Sequence, residues 1–511
     1  MSTTVDIFEE IDAQALTAPI LTQWTKPILL ALDIGSSGIR AAFFDDQGYE
    51  IDGASVRVGY GASATDFATF DAEVLLERVA QTIDELFAMS FPSPVRIELI
   101  AVSCFWHSLV GVDAAGRATT PVLGWADSRA RAEAYQLRSE FDEAQTHAHT
   151  GCRFHPSYWP AKLRRLRHEE PQVFRRTKSW LSFADYLAFH FFGKTATSVS
   201  MASGTGLLNQ RTCNWDRELL EAAGITLESL PVIAHPHQSF RNLTPAYGMR
   251  WPQLSDARLF PAIGDGAANC IGSGCQTTER VTLMIGTSGA MRVCFVGEPP
   301  NRLPPELWCY RADRDRVVVG GALSDGGGLY RWLRESLLPA EDSAVIESEL
   351  NVAPPDAHGL TVLPFWAGER STNWNPDAYG AILGQSVKTN GIEILRAAME
   401  AIAYRFALIA RALEPFAPRA TLIASGHALR SSPTWLQILT DVLGQRVMLS
   451  ELSEASMRGA ALLALEAAGK IETIEEFSMP VETVFEPNFA HQAVYQQGLE
   501  RQERIYKKLF T

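Results

Sequence analysis

The stretch Pro27-Ile28-Leu29-Leu30-Ala31-Leu32-Asp33-Ile34-Gly35-Ser36-Ser37-Gly38-Ile39-Arg40-Ala41-Ala42-Phe43-Phe44-Asp45 decides how the rest of the chain is read. Its first half is a continuous apolar run, the pattern of a buried strand. Gly35-Ser36-Ser37-Gly38 is a turn, Ile39 to Asp45 is the returning strand, and Asp46-Gln47-Gly48 closes it. The expectation is a β-hairpin with a Gly/Ser tip. The pattern returns in Met284-Ile285-Gly286-Thr287-Ser288-Gly289-Ala290-Met291-Arg292-Val293-Cys294-Phe295, which aligns with Ile34 to Phe44 once a residue is inserted after the shared turn. The copies lie about half of the 511-residue chain apart, and each opens a long α/β stretch. They read as a duplicated domain.

Strand and helix patterns alternate around the two copies. Arg96 to Ser103 and Leu109 to Val112 read as strands, and Pro171 to Phe191 as mostly helical. Asp216 caps a short helix that runs through Ala223 and stops at Gly224. Arg316 to Gly320 is a strand leading into Gly326-Gly327-Gly328. Ile392 to Leu413 is a long helix with Leu395, Met399, Ile402, Phe406, Ile409 and Leu413 on one face. Thr421 to Ala424 is a further strand. The mixture is α/β in class.

Composition narrows the function. Hydrophobic residues make up 46% and charged residues 20%, ordinary values for a folded domain protein. With 45 basic and 59 acidic residues the net charge is −14, which argues against nucleic acid or a membrane surface as the main partner. The seven cysteines include no C-x-x-C pair, so reduced thiols in a cytoplasm fit better than a disulfide framework or zinc ribbon. Acidic Asp6, Glu9, Glu10 and Asp12 do not make a signal peptide's basic start, and no apolar run is long enough to span a bilayer.

Four elements carry candidate chemistry. Backbone N–H groups at the Gly35-Ser36-Ser37 turn form a concave anion site, and Asp33 just before it can hold Mg²⁺ against a triphosphate. The structural alternative is a plain hairpin with a hydrogen-bonding aspartate. Gly286-Thr287-Ser288-Gly289 would grip phosphate from the opposite side. In Gly264-Asp265-Gly266-Ala267-Ala268-Asn269, Asp265 stands where a helix begins. It is either an N-cap or a general base for a hydroxyl, and the two roles are compatible. In Ala424-Ser425-Gly426-His427-Ala428-Leu429-Arg430-Ser431-Ser432-Pro433, Ser432 caps a helix that begins at Pro433 and runs to Gly444, and the glycine turn gives adenine room on backbone.

Taken in order, these elements resemble the FGGY carbohydrate kinases of the actin-like ATPase superfamily, over about residues 28 to 470. The carriers are Asp33-Ile34-Gly35-Ser36-Ser37, Gly264-Asp265-Gly266, Gly286-Thr287-Ser288-Gly289, and Ser425-Gly426 followed by Ser432, Trp435, Gln437, Asp441 and Gly444. The resemblance implies two ribonuclease-H-like domains with an interdomain cleft holding ATP and sugar. It divides the chain into an N-terminal extension (1–26), a sugar-binding domain with the catalytic base (27–274) and a nucleotide-binding domain (275–511). It makes Asp265 the catalytic base and a substrate contact, and Asp33 the magnesium-side carboxylate. It assigns phosphate and nucleotide to Gly35, Ser36, Ser37, Gly286, Thr287, Ser288, Gly328, Ser425, Gly426 and His427. His107 follows the strand ending at Ser103, and Trp125-Ala126-Asp127-Ser128-Arg129 resembles the family's W-x-D-x-R segment, so His107, Trp125 and Asp127 would face the substrate.

Within the family the chain is most similar to the gluconate kinase branch. The likeness rests on Thr150 to Leu163, Ser200 to Leu207, and Ala367-Gly368-Glu369-Arg370-Ser371-Thr372-Asn373-Trp374-Asn375-Pro376-Asp377. His427 departs from the pattern, standing where many members have a second glycine, and Ser324-Asp325 stands where related chains often have asparagines. The expectation is an ATP- and Mg²⁺-dependent phosphotransferase acting on a hydroxyl of a small sugar or sugar acid, gluconate-like by preference. It needs neither nucleic acid nor membrane, and a homodimer is compatible with it. The alternatives are a ketopentose (xylulose-type) or polyol kinase, an actin- or chaperone-like ATPase switch, and a catalytically silent sugar sensor.

Overall fold

The computed structural model describes residues 28–35, 38–60, 68–89, 96–450, 452, 454–477 and 481–510. The extension 1–26, Ser36 and Ser37 lie outside these residues. Two sheets organise the fold. The first has six strands: β1 (Ile28–Ile34), β2 (Gly38–Phe44), β3 (Glu50–Gly59), β4 (Ile97–Cys104), β5 (Arg258–Leu259) and β6 (Ile263–Gly264). Its order is β5-β4-β1-β2-β3, with β6 also on β4. The second has seven: β7 (Arg280–Ile285), β8 (Gly289–Val296), β9 (Trp308–Arg311), β10 (Arg316–Leu323), β11 (Thr421–Ser425), β12 (Val447–Ser450) and β13 (Val481–Phe485). Its order is β9-β10-β8-β7-β11-β12-β13. In each sheet an antiparallel hairpin sits beside a parallel strand that comes later in the chain: β1–β2 beside β4, and β7–β8 beside β11.

The two hairpins differ at their tips. Ile34 pairs with Ile39, leaving four residues between them, whereas Ile285 pairs with Gly289, leaving three. The extra residue therefore sits within the first connection, not after a shared turn. The strand registers differ as a result, so Arg40 faces Asp33 while Arg292 faces Thr282. Sequence alignment of the two arginines does not make them structural equivalents.

Four helices position the site. α1 (Trp159–Glu169) packs against the first domain's outer elements, α2 (Asp265–Gly272) follows β6, α3 (Gly327–Leu337) follows β10, and α4 (Ala455–Ala467) returns late in the chain. The long helix Gly391–Leu413 buries the six apolar residues expected of it, and Asn390 and Glu393 cap its start reciprocally. Asp216 and Gly224 bound their helix as expected, as do Ser432 and Gly444 theirs. Pro171 to Phe191 is not one helix. Trp180 and Leu181 pair as a strand with Gly111 and Val110, and Ser182 with Asp185 forms a capping box that starts a new helix.

α4 comes from the second half of the chain yet covers the first sheet, where Met457, Ala460, Ala461 and Ala464 share a core with Leu29, Ala31, Leu99 and Ala101. It also crosses α2 at backbone contact. A Cβ on Gly272 would stand 1.8 Å from Ala455 O, and one on Gly459 1.8 Å from Ala268 O. Only glycine fits at either position.

Candidate active site

The parallel strands of the first sheet bring their carboxyl ends together, the usual place for a ligand in such sheets. Asp33 lies level with Ser103, and Ser103 with Ile263, two residues before Asp265. Asp33 is buried. Its Oδ1 accepts from Ser103 Oγ at 2.8 Å and its Oδ2 from Arg40 Nη1 at 3.0 Å. Arg40 also approaches Glu454 at 3.4 Å, so the first hairpin touches a residue from the far end of the chain. Gly35 closes the turn through its N–H to Gly38 O and accepts from Tyr60 Oη at 2.6 Å.

Asp265 is the first residue inside α2, with Gly264 as the cap, and its Oδ1 accepts from Gly266 N–H at 2.8 Å. It keeps some accessible surface although protein surrounds the carboxyl. Burial pushes that carboxyl above the ordinary aspartate range and Asp33 adds to the rise, while Arg292 and the N–H groups of Gly266 and Trp106 oppose it.

Trp106 forms the wall beside Asp265. Its indole occupies a slot that three glycines leave open: a Cβ on Gly264 would stand 1.9 Å from Nε1, one on Gly266 2.5 Å from Cζ3, and one on Gly204 2.6 Å from Cδ1. Nε1 donates to Ser200 O at 2.9 Å. The second sheet supplies the next aromatic layer, with Tyr310 4.8 Å from the Trp106 ring and Trp308 stacked on Tyr310 at 4.1 Å. Tyr158, just before α1, completes it through a 2.6 Å Tyr158–Tyr310 hydroxyl contact.

His107 is buried with φ at +69°, a left-handed conformation that costs about 1 kcal/mol or more in a non-glycine residue. Burial drives its imidazole down to about 3, so it is neutral at ordinary pH. Nδ1 lies 2.5 Å from Gly204 O, which fixes the N–H there and leaves Nε2 as an acceptor. Lys162, fully buried, donates to the carbonyls of His107, Leu123 and Gly124 at 3.1, 3.4 and 2.7 Å. One ammonium thus ties the His107 loop to the Trp125 loop. Trp125 is partly buried and carries the Arg370 guanidinium 4.4 Å over its ring. Asp127 is buried, and both its oxygens are held by Arg129 at 2.8 Å.

The second hairpin tip lies against the start of α3. Gly327 N–H donates to Gly286 O at 2.8 Å and Gly328 N–H to Thr287 O at 2.9 Å. Thr287 and Ser288 are half-buried. Beside the tip, Ser425 is level with Met284 and Gly426 follows it. Ser425 is buried, and among the described residues its Oγ has no hydrogen-bond partner. His427 lies within electrostatic reach of Arg57 and Arg40 on the first sheet. Gly286, Thr287, Ser288, Gly328, Ser425, Gly426 and His427 therefore gather at the β7–β8 tip and the end of β11, Gly35 stands at the β1–β2 tip with Ser36 and Ser37 outside the described residues, and His107, Trp125, Asp127 and Asp265 gather near the ends of β4 and β6.

Sequence reasoning missed Arg292, Tyr310, Tyr158 and Arg370 as parts of this site. Arg292 is 7% exposed in an otherwise apolar strand, a charged residue at a core position, and that mismatch was the available signal. Tyr310 carries no such mark, because its partners come from the other half of the chain.

Two hairpin-led sheets, an enclosed carboxylate and an aromatic wall built from both halves define a two-domain α/β enzyme of the actin-like ATPase fold. The FGGY carbohydrate-kinase N-terminal domain model matches residues 28–271 and the C-terminal domain model residues 281–468. The chain belongs to the FGGY family of carbohydrate kinases, phosphotransferases that use ATP as donor. It is 26% identical over 466 residues to a gluconokinase of Bacillus subtilis (strain 168), covering 88% of this chain and 89% of that one. Among solved structures it is similar to a ligand-bound xylulose kinase from Lactobacillus acidophilus (TM-score 0.85) and a gluconate kinase from the same organism (TM-score 0.84). Each is 26% identical and covers 95% of this chain and 98% of its own.

Proposed function

We propose that this carbohydrate kinase acts on a small sugar acid, gluconate or a close relative, and transfers the γ-phosphoryl group of ATP to a primary hydroxyl. The observation that carries the chemistry is Asp265, a carboxylate held above its ordinary range at a helix start and flanked by Trp106. A sugar hydroxyl is a poor nucleophile, and a positioned carboxylate of raised basicity is suited to take its proton as the oxygen attacks. His107 Nε2 accepts from a second hydroxyl, and Trp125 with the Trp106 layer receives the carbon chain. Asp127 acts through Arg129, keeping the loop beside Lys162 in position.

Phosphate charge falls to the two turns Gly35-Ser36-Ser37 and Gly286-Thr287-Ser288, whose small residues let phosphate approach backbone, with Gly328, Ser425, Gly426 and His427 on the nucleotide. Asp33 suits a hard cation: it is a carboxylate oriented by Ser103 and Arg40, with a second carboxylate within electrostatic reach. Mg²⁺ bound there would neutralise phosphate charge. Domains 27–274 and 275–511 close on the pair of substrates and exclude water. Seven buried free thiols support work in the cytoplasm.

The gluconokinase and gluconate kinase matches favour the sugar acid. The xylulose kinase match of equal identity favours a ketopentose as the second reading. A coupled kinase assay over sugar acids, ketoses and polyols separates them. The highest kcat/KM should fall on a sugar acid. A ketopentose maximum replaces the substrate, and ATP hydrolysis indifferent to sugar replaces the reaction with an ATPase switch. No turnover at all leaves a sensor.

A further inference from the structure

Three buried guanidinium groups show how this protein places such a charge against carboxylates. Arg405 pairs with Glu369 at 2.6 Å, Arg396 with Glu400 at 2.9 Å and Arg316 with Glu466 at 2.7 Å. This is the rule for a buried charge, which is costly unless paired and hydrogen-bonded. Arg292 departs from it. The residue is 7% exposed, its Nε and Nη1 have no hydrogen-bond partner, and among the described residues it joins no ion pair.

The surroundings of Arg292 belong to the substrate wall. Its Nε stands 2.9 Å from a Cβ built on Gly266, whose other side is taken by Trp106. Its stem lies against Gly320, opposite it on β10, beside Trp308. Asp265 and Arg370 are both within electrostatic reach. Arg370 adds a second guanidinium whose Nε is buried without a partner while its Nη2 donates to Leu323 O. Two guanidinium groups thus lie within electrostatic reach of each other and of Asp265, an arrangement that a bound anion would relieve. The position of Arg292 along its strand argues against the phosphates as that anion. It is three residues from Gly289 at the hairpin tip, about 10 Å down the strand, on the side of the aromatic layer.

The geometry points to Arg292 as the residue that binds the carboxylate of an acidic sugar, with Arg370 in support. The inference rests on the sugar-acid reading above and names the group that would select for it. Planar guanidinium groups suit carboxylates because two parallel N–H donors match two oxygens. The unpaired N–H groups would also reject a neutral polyol, which leaves the buried charge uncompensated.

The test compares wild type, Arg292→Leu and Arg292→Lys, each checked for an unchanged circular dichroism spectrum. Kinetics are measured with gluconate and with the neutral polyol glucitol, and gluconate binding is measured by calorimetry without ATP. Arg292→Leu should lower the ratio of kcat/KM for gluconate over glucitol by about 10- to 100-fold, the range for charged hydrogen bonds, mainly through KM. Arg292→Lys should recover part of the loss. An equal fall for both substrates, or a loss confined to KM for ATP, overturns the inference and puts Arg292 at the phosphoryl group. Wild type that turns over no sugar acid overturns the underlying substrate reading instead. A variant that fails to fold is replaced by Arg292→Gln, judged by the same ratio.

Discussion

Arg292 on β8 lies over Gly266, the residue immediately after Asp265, so a side chain of the second sheet closes against the helix that carries the carboxylate. The contact works because position 266 has no Cβ. Gly266→Ala would drive a methyl to 2.5 Å from Trp106 Cζ3 and 2.9 Å from Arg292 Nε. The expected outcome is about 1–3 kcal/mol of lost stability from overpacking, read by denaturant titration, and a fall in kcat/KM larger than that loss explains. Full activity in this variant would mean that the wall does not need its present shape.

Asp265→Asn and Asp265→Ala should lower turnover by about 10²-fold or more while calorimetry still records ATP binding. The pH profile follows from the sign of the carboxyl's displacement. The base works deprotonated, and its burial raises the pH at which it protonates. The acid limb of kcat/KM should therefore lie above the ordinary aspartate range. Near-normal turnover in either variant removes Asp265 from the base role.

Asp33→Ala deletes the acceptor of Ser103 and Arg40 at the end of β1. Activity should then need severalfold more magnesium, read as a shifted Mg²⁺ titration at fixed ATP. A superimposable titration would dissociate Asp33 from the cation.

Lys162 makes a prediction about stability. Burial lowers its ammonium from 10.5 to about 7 in the folded protein. Below about 7 folded and unfolded chains both hold the proton. Between about 7 and 10.5 the unfolded chain holds more protons, so raising the pH stabilises the fold, by a few kcal/mol across the window. Lys162→Met should flatten the rise of melting temperature over that range, and should impair activity through the carbonyls of His107 and Gly124 that it releases. An unchanged pH slope would mean that the ammonium is not the group responsible.

Much of the frame was legible in order and spacing. The hairpins, the helix start at Asp265 and the caps at Asp216, Ser432 and Gly444 announce themselves through local chemistry. The Trp106 slot was half legible: Gly264 and Gly266 stand out, but nothing local says that an indole 160 residues earlier fills the space. Arg292 and Tyr310 were illegible as site residues because their meaning depends on Trp106 and Asp265, which only the tertiary fold brings near. The break at Trp180 was missed because its pairing with Gly111 overrides helical periodicity.

The late helix Ala455–Ala467 has a consequence for how this enzyme could be dissected. It shields Leu29, Ala31, Leu99 and Ala101, so a fragment ending near residue 274 would present that apolar face to water. The glycine crossing of Gly272 with Gly459 holds the same helix at a separation no other residue tolerates. The enzyme's halves are interlocked lobes, and neither should survive expression without the other.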